Sequence, residues 1–244
     1  RYGTEVSIVR DIEPVLTDDA VSSAIIINEP TKHLGMAIQL LRAGKRVLIE
    51  KPISLDEEVA QRDEFLALAK TADARAYVVA QHRFSPEFKK LRRLLEKSNP
   101  TVGYLSVSMP RDIDYYLAGN GWKAKYSSVW VNQAYHWLDV LVWYFGAPTA
   151  VMPAIRSRRE GLDAIDSCSG FLKFSCGLVV HLYATTRFSD AWFDLRFDTP
   201  SDVLTFRDVR NRMMLPRMLE AVLRRRASKW NLKRQVLCDF LSLG

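Results

Sequence analysis

The chain has 244 residues, 48% hydrophobic and 26% charged, with a formal net charge of +7. Apolar and aromatic residues along the whole length exclude a disordered chain, and no apolar run reaches the roughly 18 residues of a membrane-spanning helix. The charge is local: nine Lys/Arg and the single acid Glu220 lie between Arg210 and Gln235, against 26 basic and 27 acidic residues elsewhere.

The first eighty residues alternate short apolar runs with amphipathic segments. Ala24-Ile25-Ile26-Ile27 is continuously apolar, the pattern of a strand buried on both faces. Thr31 to Ala43 carries Leu34, Ala37, Ile38 and Leu41 at helical spacing, and Gly44 sits where a helix end takes a left-handed residue. Val47-Leu48-Ile49 is the next strand. Ser54 and Glu57 form a capping box for a helix running to about Lys70, and Tyr77 to Ala80 is a third strand. This alternation predicts right-handed crossovers and a parallel sheet.

Beyond Phe84 the texture changes, which puts a boundary near residues 83–86. Ser85-Pro86 opens a helix carrying Leu91, Leu94 and Leu95, Val102 to Met109 is a strand, and a helix spans Val129 to Phe145, ending at Gly146. Thr149 to Phe206 is mostly strand. In Trp192 to Asp198, Phe193, Leu195 and Phe197 face one side and Asp194 and Arg196 the other, as in an antiparallel sheet with one buried face. The last thirty residues return to helix. The fold class is therefore α/β: a partial parallel sheet over 1–84, then an α+β domain over 85–244 with a large, mainly antiparallel open sheet.

Cys168, Cys176 and Cys238 make neither a metal-ligand pair nor an even disulfide set. Cys168 and Cys176 read as reduced core thiols, with a bridge between adjacent strands as the alternative. No metal site is expected.

Two clusters carry chemistry. Glu50-Lys51-Pro52 follows a parallel strand at its carboxyl end, the sheet edge where ligands bind, and Pro52 holds Lys51 in an extended turn. A surface ion pair between Glu50 and Lys51 is the alternative. Further on, Asn132, His136, Asp139 and Trp143 fall at i, i+4, i+7 and i+11, one stripe on an otherwise apolar helix. Buried polar groups need partners, so the stripe should face a cleft or another polar element. The competing reading is a core histidine held by Asp139.

These residues resemble the Gfo/Idh/MocA oxidoreductases, and the match runs in the family's order. It comprises Asp19-Ala20-Val21 with Ile25 to His33, Ala43 to Pro52, and Gln81-His82-Arg83-Phe84-Ser85-Pro86. It continues through Asp114-Tyr115-Tyr116, Trp122-Lys123, Asn132 to Asp139, Trp143 to Pro148, Asp166 and Phe174-Ser175-Cys176-Gly177. The resemblance implies a Rossmann dinucleotide-binding domain and a hydride transfer between NAD or NADP and a hydroxyl or keto carbon of a sugar or nucleotide sugar. Lys51 and His136 would be catalytic, His136 as general acid/base with an ordinary pKa of about 6.5. Asn132, Arg83, Tyr116, Lys123 and Asp139 would bind substrate. Asn28, Pro30, His33, Glu50 and Trp122 would line the cofactor. Asn132 stands where many family members carry Asp; an amide can bond a hydroxyl but cannot take its proton.

The chain departs from the family pattern twice. Tyr126-Ser127-Ser128-Val129 replaces a Gly-rich run, and Gly-x-Gly-x-x-Gly does not occur. The opening strand and phosphate-binding turn are expected before Arg1. The alternative function is therefore a non-catalytic relative serving as a binding or assembly module. A homo-oligomer formed through the sheet domain and a cytoplasmic location complete the reading. Arg224-Arg225-Arg226, Lys229 and Lys233-Arg234 offer phosphate contacts, but interleaved Met213, Met214, Leu215, Met218, Leu219, Val222 and Leu223 fit one buried and one basic helix face. No nucleic-acid role is expected for 210–235, and membrane-surface contact there is a minor alternative.

Overall fold

The structure is a computed structural model that describes residues 8–54, 59–71, 75–118 and 121–208. The Glu57 half of the capping box, the 210–235 segment and Cys238 lie outside the described residues. The chain divides into two compact units, 1–80 and 81–244.

Unit 1 contains α1 (Glu13–Thr17), β1 (Ser23–Ile26), α2 (His33–Arg42), β2 (Arg46–Ile49), α3 (Val59–Ala69) and β3 (Ala76–Val78). The three strands pair in parallel in the order β1-β2-β3, with Ile26 opposite Ile49 and Leu48 opposite Tyr77. Helix α2 starts after a 3-10 turn at Pro30–Lys32, so the regular helix begins two residues later than its apolar spacing predicts. It ends at Gly44, whose φ of +74° is the left-handed conformation the sequence calls for.

The expectation of strands buried on both faces needs correction. Ile26, Val47 and Ile49 are buried with Leu34, Leu40 and Phe65, but Ile25, Ile27 and Tyr77 are more than half exposed and Leu48 is 37% exposed. The reason is topological. Successive right-handed crossovers stepping in one direction across a sheet put their helices on the same side, so α2 and α3 cover one face only.

Unit 2 begins with α4 (Pro86–Ser98), β4 (Val102–Ser108), α5 (Ile113–Leu117) and α6 (Trp122–Tyr126). A π-helical turn at Trp130–Ala134 leads into α7 (Tyr135–Phe145), and five strands follow: β5 (Ala150–Arg158), β6 (Ile165–Lys173), β7 (Val179–Thr185), β8 (Trp192–Asp198) and β9 (Val203–Asp208). The sheet order is β5-β6-β7-β4-β8-β9, antiparallel except where β4 meets β7.

Helices α4 and α7 pack on one face. Phe88, Leu91, Leu95, Trp137, Val140 and Leu141 meet Leu105, Leu182, Phe193, Leu195 and Phe197 in one continuous core. The Phe193/Leu195/Phe197 alternation is as predicted. On the other face polar side chains bond across strands: Ser169 with His181, Ser167 with Thr185, and Trp192 with Ser106. Asp194 accepts from Arg196 and Arg207 there.

Both cysteines described are free thiols. Cys168 is buried, and burial pushes its thiol well above its ordinary pKa. Cys176 is exposed, which corrects its reading as a core thiol: it lies in the tight Phe174–Gly177 turn between β6 and β7.

Candidate active site

Each unit presents its own set of the expected residues. In unit 1, the parallel strands β1 and β2 end side by side, and each carboxyl end runs into a loop. From β1 the chain passes through Asn28 and the buried Pro30 into α2. From β2 it passes through Glu50 and Lys51 to Pro52, across a cis Lys51–Pro52 peptide. Glu50 stays in register through its amide, which donates to Ile26 O at 2.9 Å. Its carboxylate accepts from the Lys51 amide.

His33 joins the two loops. It is 1% exposed, with Nδ1 2.8 Å from Pro52 O and Nε2 2.8 Å from Asn28 O. In the structure His33 is a brace between two backbone segments. The edge it braces has the form of a dinucleotide site: adjacent parallel carboxyl ends, with a cation, a carboxylate and an amide on the loops.

In unit 2 the Asn132–Asp139 stripe is broken by the π turn. Ser127 and Ser128 bring this about: the Ser128 hydroxyl accepts from Val131 N at 3.3 Å, and the Ser127 hydroxyl bonds the Asn132 side chain. Such local side-chain bonds compete with the α-helical ladder, so the single helix predicted over 129–145 starts as a wider coil. π turns of this kind recur at functional sites. Asn132 is 9% exposed and anchored to the preceding loop.

His136 emerges just after the turn. The His82 ring lies edge-on to it, with centroids 5.4 Å apart and planes at 85°. His82 itself stacks on Trp137 at 4.3 Å, and Trp137 stacks on Phe193 at 3.6 Å. A column of rings thus fixes the position of His136.

The Asp139 carboxylate has both oxygens bonded. Both accept from Arg83, Oδ2 from Nε at 2.9 Å and Oδ1 from Nη2 at 2.6 Å. The bidentate bond to Asp139 raises the Arg83 pKa further. An Arg83–Asp139 clasp thus joins the 3-10 turn Gln81–Phe84 to α7.

Tyr116 is 2% exposed, and its hydroxyl bonds Thr186 Oγ1 at 2.9 Å. Burial raises its pKa, with the Thr186 bond opposing. Lys123 Nζ lies 4.4 Å from the Tyr115 ring centroid and 5.8 Å from that of Trp122. Sequence reasoning passed over His82, which it met only as part of a junction motif, and Ser127, which it met only as a departure. The signal available for His82 was its place one residue before Arg83.

A Rossmann-type parallel unit followed by an α+β unit with an open six-stranded sheet is the architecture of a two-domain nucleotide-dependent enzyme. Residues 2–82 match the model of the oxidoreductase family, NAD-binding Rossmann fold, and residues 101–198 match the GFO/IDH/MocA C-terminal domain. The chain belongs to the Gfo/Idh/MocA oxidoreductase family.

Over 159 residues it is 28% identical to the uncharacterized oxidoreductase YhhX of Escherichia coli, covering 64% of this chain and 45% of that one. Over 169 residues it is 23% identical to the scyllo-inositol 2-dehydrogenase (NADP(+)) IolW of Bacillus subtilis, covering 66% and 45%. The solved structure of the WlbA dehydrogenase from Bordetella pertussis, in complex with NADH and UDP-GlcNAcA, shares the fold at a TM-score of 0.73 and 19% identity, covering 82% of this chain and 63% of that one. The chain spans about half the length of the relatives it matches. Among the described residues no helix is long and apolar enough to cross a membrane, and no group of His, Cys, Asp and Glu side chains could hold a metal ion.

Proposed function

We propose that the whole protein is an NAD(P)-dependent oxidoreductase that interconverts a CH–OH and a C=O group on a sugar or nucleotide sugar. The observation that carries this is the β1/β2 edge, where His33 clamps the Asn28 and Pro52 loops and so presents Asn28, Glu50 and Lys51 together. Family membership and relatives named as inositol and UDP-sugar dehydrogenases support the substrate class.

When bound, the nicotinamide accepts or supplies the hydride. The chain's own residues handle the oxygen. In the oxidative direction His136 takes the hydroxyl proton as the carbonyl forms, and it returns that proton on reduction. Lys51 is the cation that unit 1 would offer to the substrate hydroxyl. Asn132 orients a neighbouring hydroxyl and takes no proton. Arg83 and Asp139, bonded to each other, position the helix that carries His136. Trp122 and Lys123, adjacent on α6, are the unit 2 residues that would contact the cofactor and the substrate. The protein works in the cytoplasm, as a homo-oligomer packed through the polar outer face of the β5–β9 sheet.

In the whole protein, Lys51→Ala and His136→Ala should each lower turnover by about 100-fold or more while leaving the thermal midpoint unchanged. NAD(H) and NADP(H) titrations followed by fluorescence test the cofactor. Absence of binding to either would overturn the enzyme reading in favour of an assembly module.

A further inference from the structure

The mechanism leaves one cluster of charge unused. Asp166 on β6 is fully buried, yet it faces two arginines: Arg159 Nε and Arg187 Nε each lie 2.9 Å from its Oδ2. Arg159 also donates from Nη2 to Thr186 O at 2.9 Å. These bonds use the inner edges of the guanidiniums. Among the described residues, neither terminal nitrogen of Arg187 nor Nη1 of Arg159 has a protein hydrogen-bond partner.

The two arginines line an open cleft of about 630 Å³ together with Arg111, Asp112, Thr186 and Phe188. Arg111 donates to Pro110 O, while its Nε is buried without a partner among the described residues. Asp112 also lines the cleft, with its Oδ1 accepting from the Tyr115 amide as the cap of α5. Three arginines against two aspartates leave the cleft positive. A clasp around Asp166 needs only one arginine, and the others leave forked donors, which suit carboxylate and phosphate oxygens. Phe188, half exposed on the same wall, offers a flat apolar surface beside the charge.

The cleft adjoins the expected substrate residues. Its Thr186 bonds the Tyr116 hydroxyl, and Arg111 Cζ and Lys123 Nζ lie 4.8 Å and 4.4 Å from the centroid of the Tyr115 ring. We infer that Arg111, Arg159 and Arg187 form an anion subsite that holds a phosphate or carboxylate carried by the substrate, so that the substrate is charged and not a neutral polyol. This rests on the oxidoreductase reading above. Arg159 and Arg187 hold the anion through their outer N–H groups, and Asp166 keeps those groups oriented.

Calorimetric titration of the whole protein with UDP, inorganic pyrophosphate, glucuronate and myo-inositol tests the inference. Arg187→Lys keeps a cation beside Asp166 but removes the fork, and Arg111→Gln leaves the Asp166 clasp intact. Each should weaken binding of the anionic probes by about tenfold or more, with NAD(H) affinity unchanged. Loss of UDP and pyrophosphate binding assigns the subsite to phosphate; loss confined to glucuronate assigns it to carboxylate. Anionic probes that bind wild type and both variants equally, or that fail to bind while myo-inositol is turned over, would overturn the subsite and leave the oxidoreductase reading standing. Failure of NAD(H) binding would instead remove that reading, whatever the anionic probes do.

Discussion

The two units solve the same problem differently. Unit 1 orders its site through the backbone: short parallel strands deliver Asn28 and Glu50–Lys51 to one edge, and a single buried histidine ties the loops together. Unit 2 orders its site through side chains: a ring column, a guanidinium–carboxylate clasp and a serine-anchored π turn hold His136 and Asn132. Unit 2 can do so because it owns a continuous core under a six-stranded sheet. Unit 1 covers only one face of a three-stranded one. A site made of loop backbone depends on few contacts, whereas one made of helix side chains inherits the rigidity of the core beneath it.

The largest effect expected from this contrast is in the unit 2 core. Phe197 is fully buried, and Phe197→Ala should cost about 3–5 kcal/mol in chemical denaturation. A loss confined to one of two unfolding transitions would sharpen the division between units. His33→Phe keeps the ring volume but removes the imidazole donor between the two loops, for about 1–2 kcal/mol. Cofactor affinity should fall with it, and unchanged affinity would remove His33 as the brace of that edge.

A third effect follows pH. Burial pushes the Asp194 carboxyl up, but hydrogen bonds from Arg196 and Arg207 outweigh it and hold the pKa below the ordinary range. The folded value lies under the unfolded one. Its stabilisation is therefore complete above the ordinary carboxylate range and is lost as pH falls through the depressed value. Thermal midpoints against pH should show an acid limb that Asp194→Asn flattens. The smallest effect is on the open face of unit 1: Ile25→Thr should change stability by under about 0.5 kcal/mol. A larger loss would mean that this face is covered in the protein in solution.

Much of this was legible in the chain. Apolar runs near 24, 47 and 77 with helical spacing between them predict three parallel strands, because the periodicity of burial is written in the residues themselves. Gly44 marks its helix end for the same local reason. Lys51 and His136 stood out by residue type and position. The partners were not legible. Asp139 pairs with Arg83, 56 residues distant in the chain, a contact that no helical spacing shows. The Ser127–Asn132 bond turned a predicted α-helix into a π turn. Arg159, Asp166 and Arg187 carried no local pattern, since β6 and β7 bring them together only after pairing.

The sequence by itself determined the main strands and longer helices, their order and the family, all of which depend on short-range patterning and motif spacing. Tertiary structure alone decided which polar groups meet, which face of a sheet is left open and where positive charge accumulates. Those outcomes depend on strand order, crossover hand and packing of distant segments, and no local spacing encodes them.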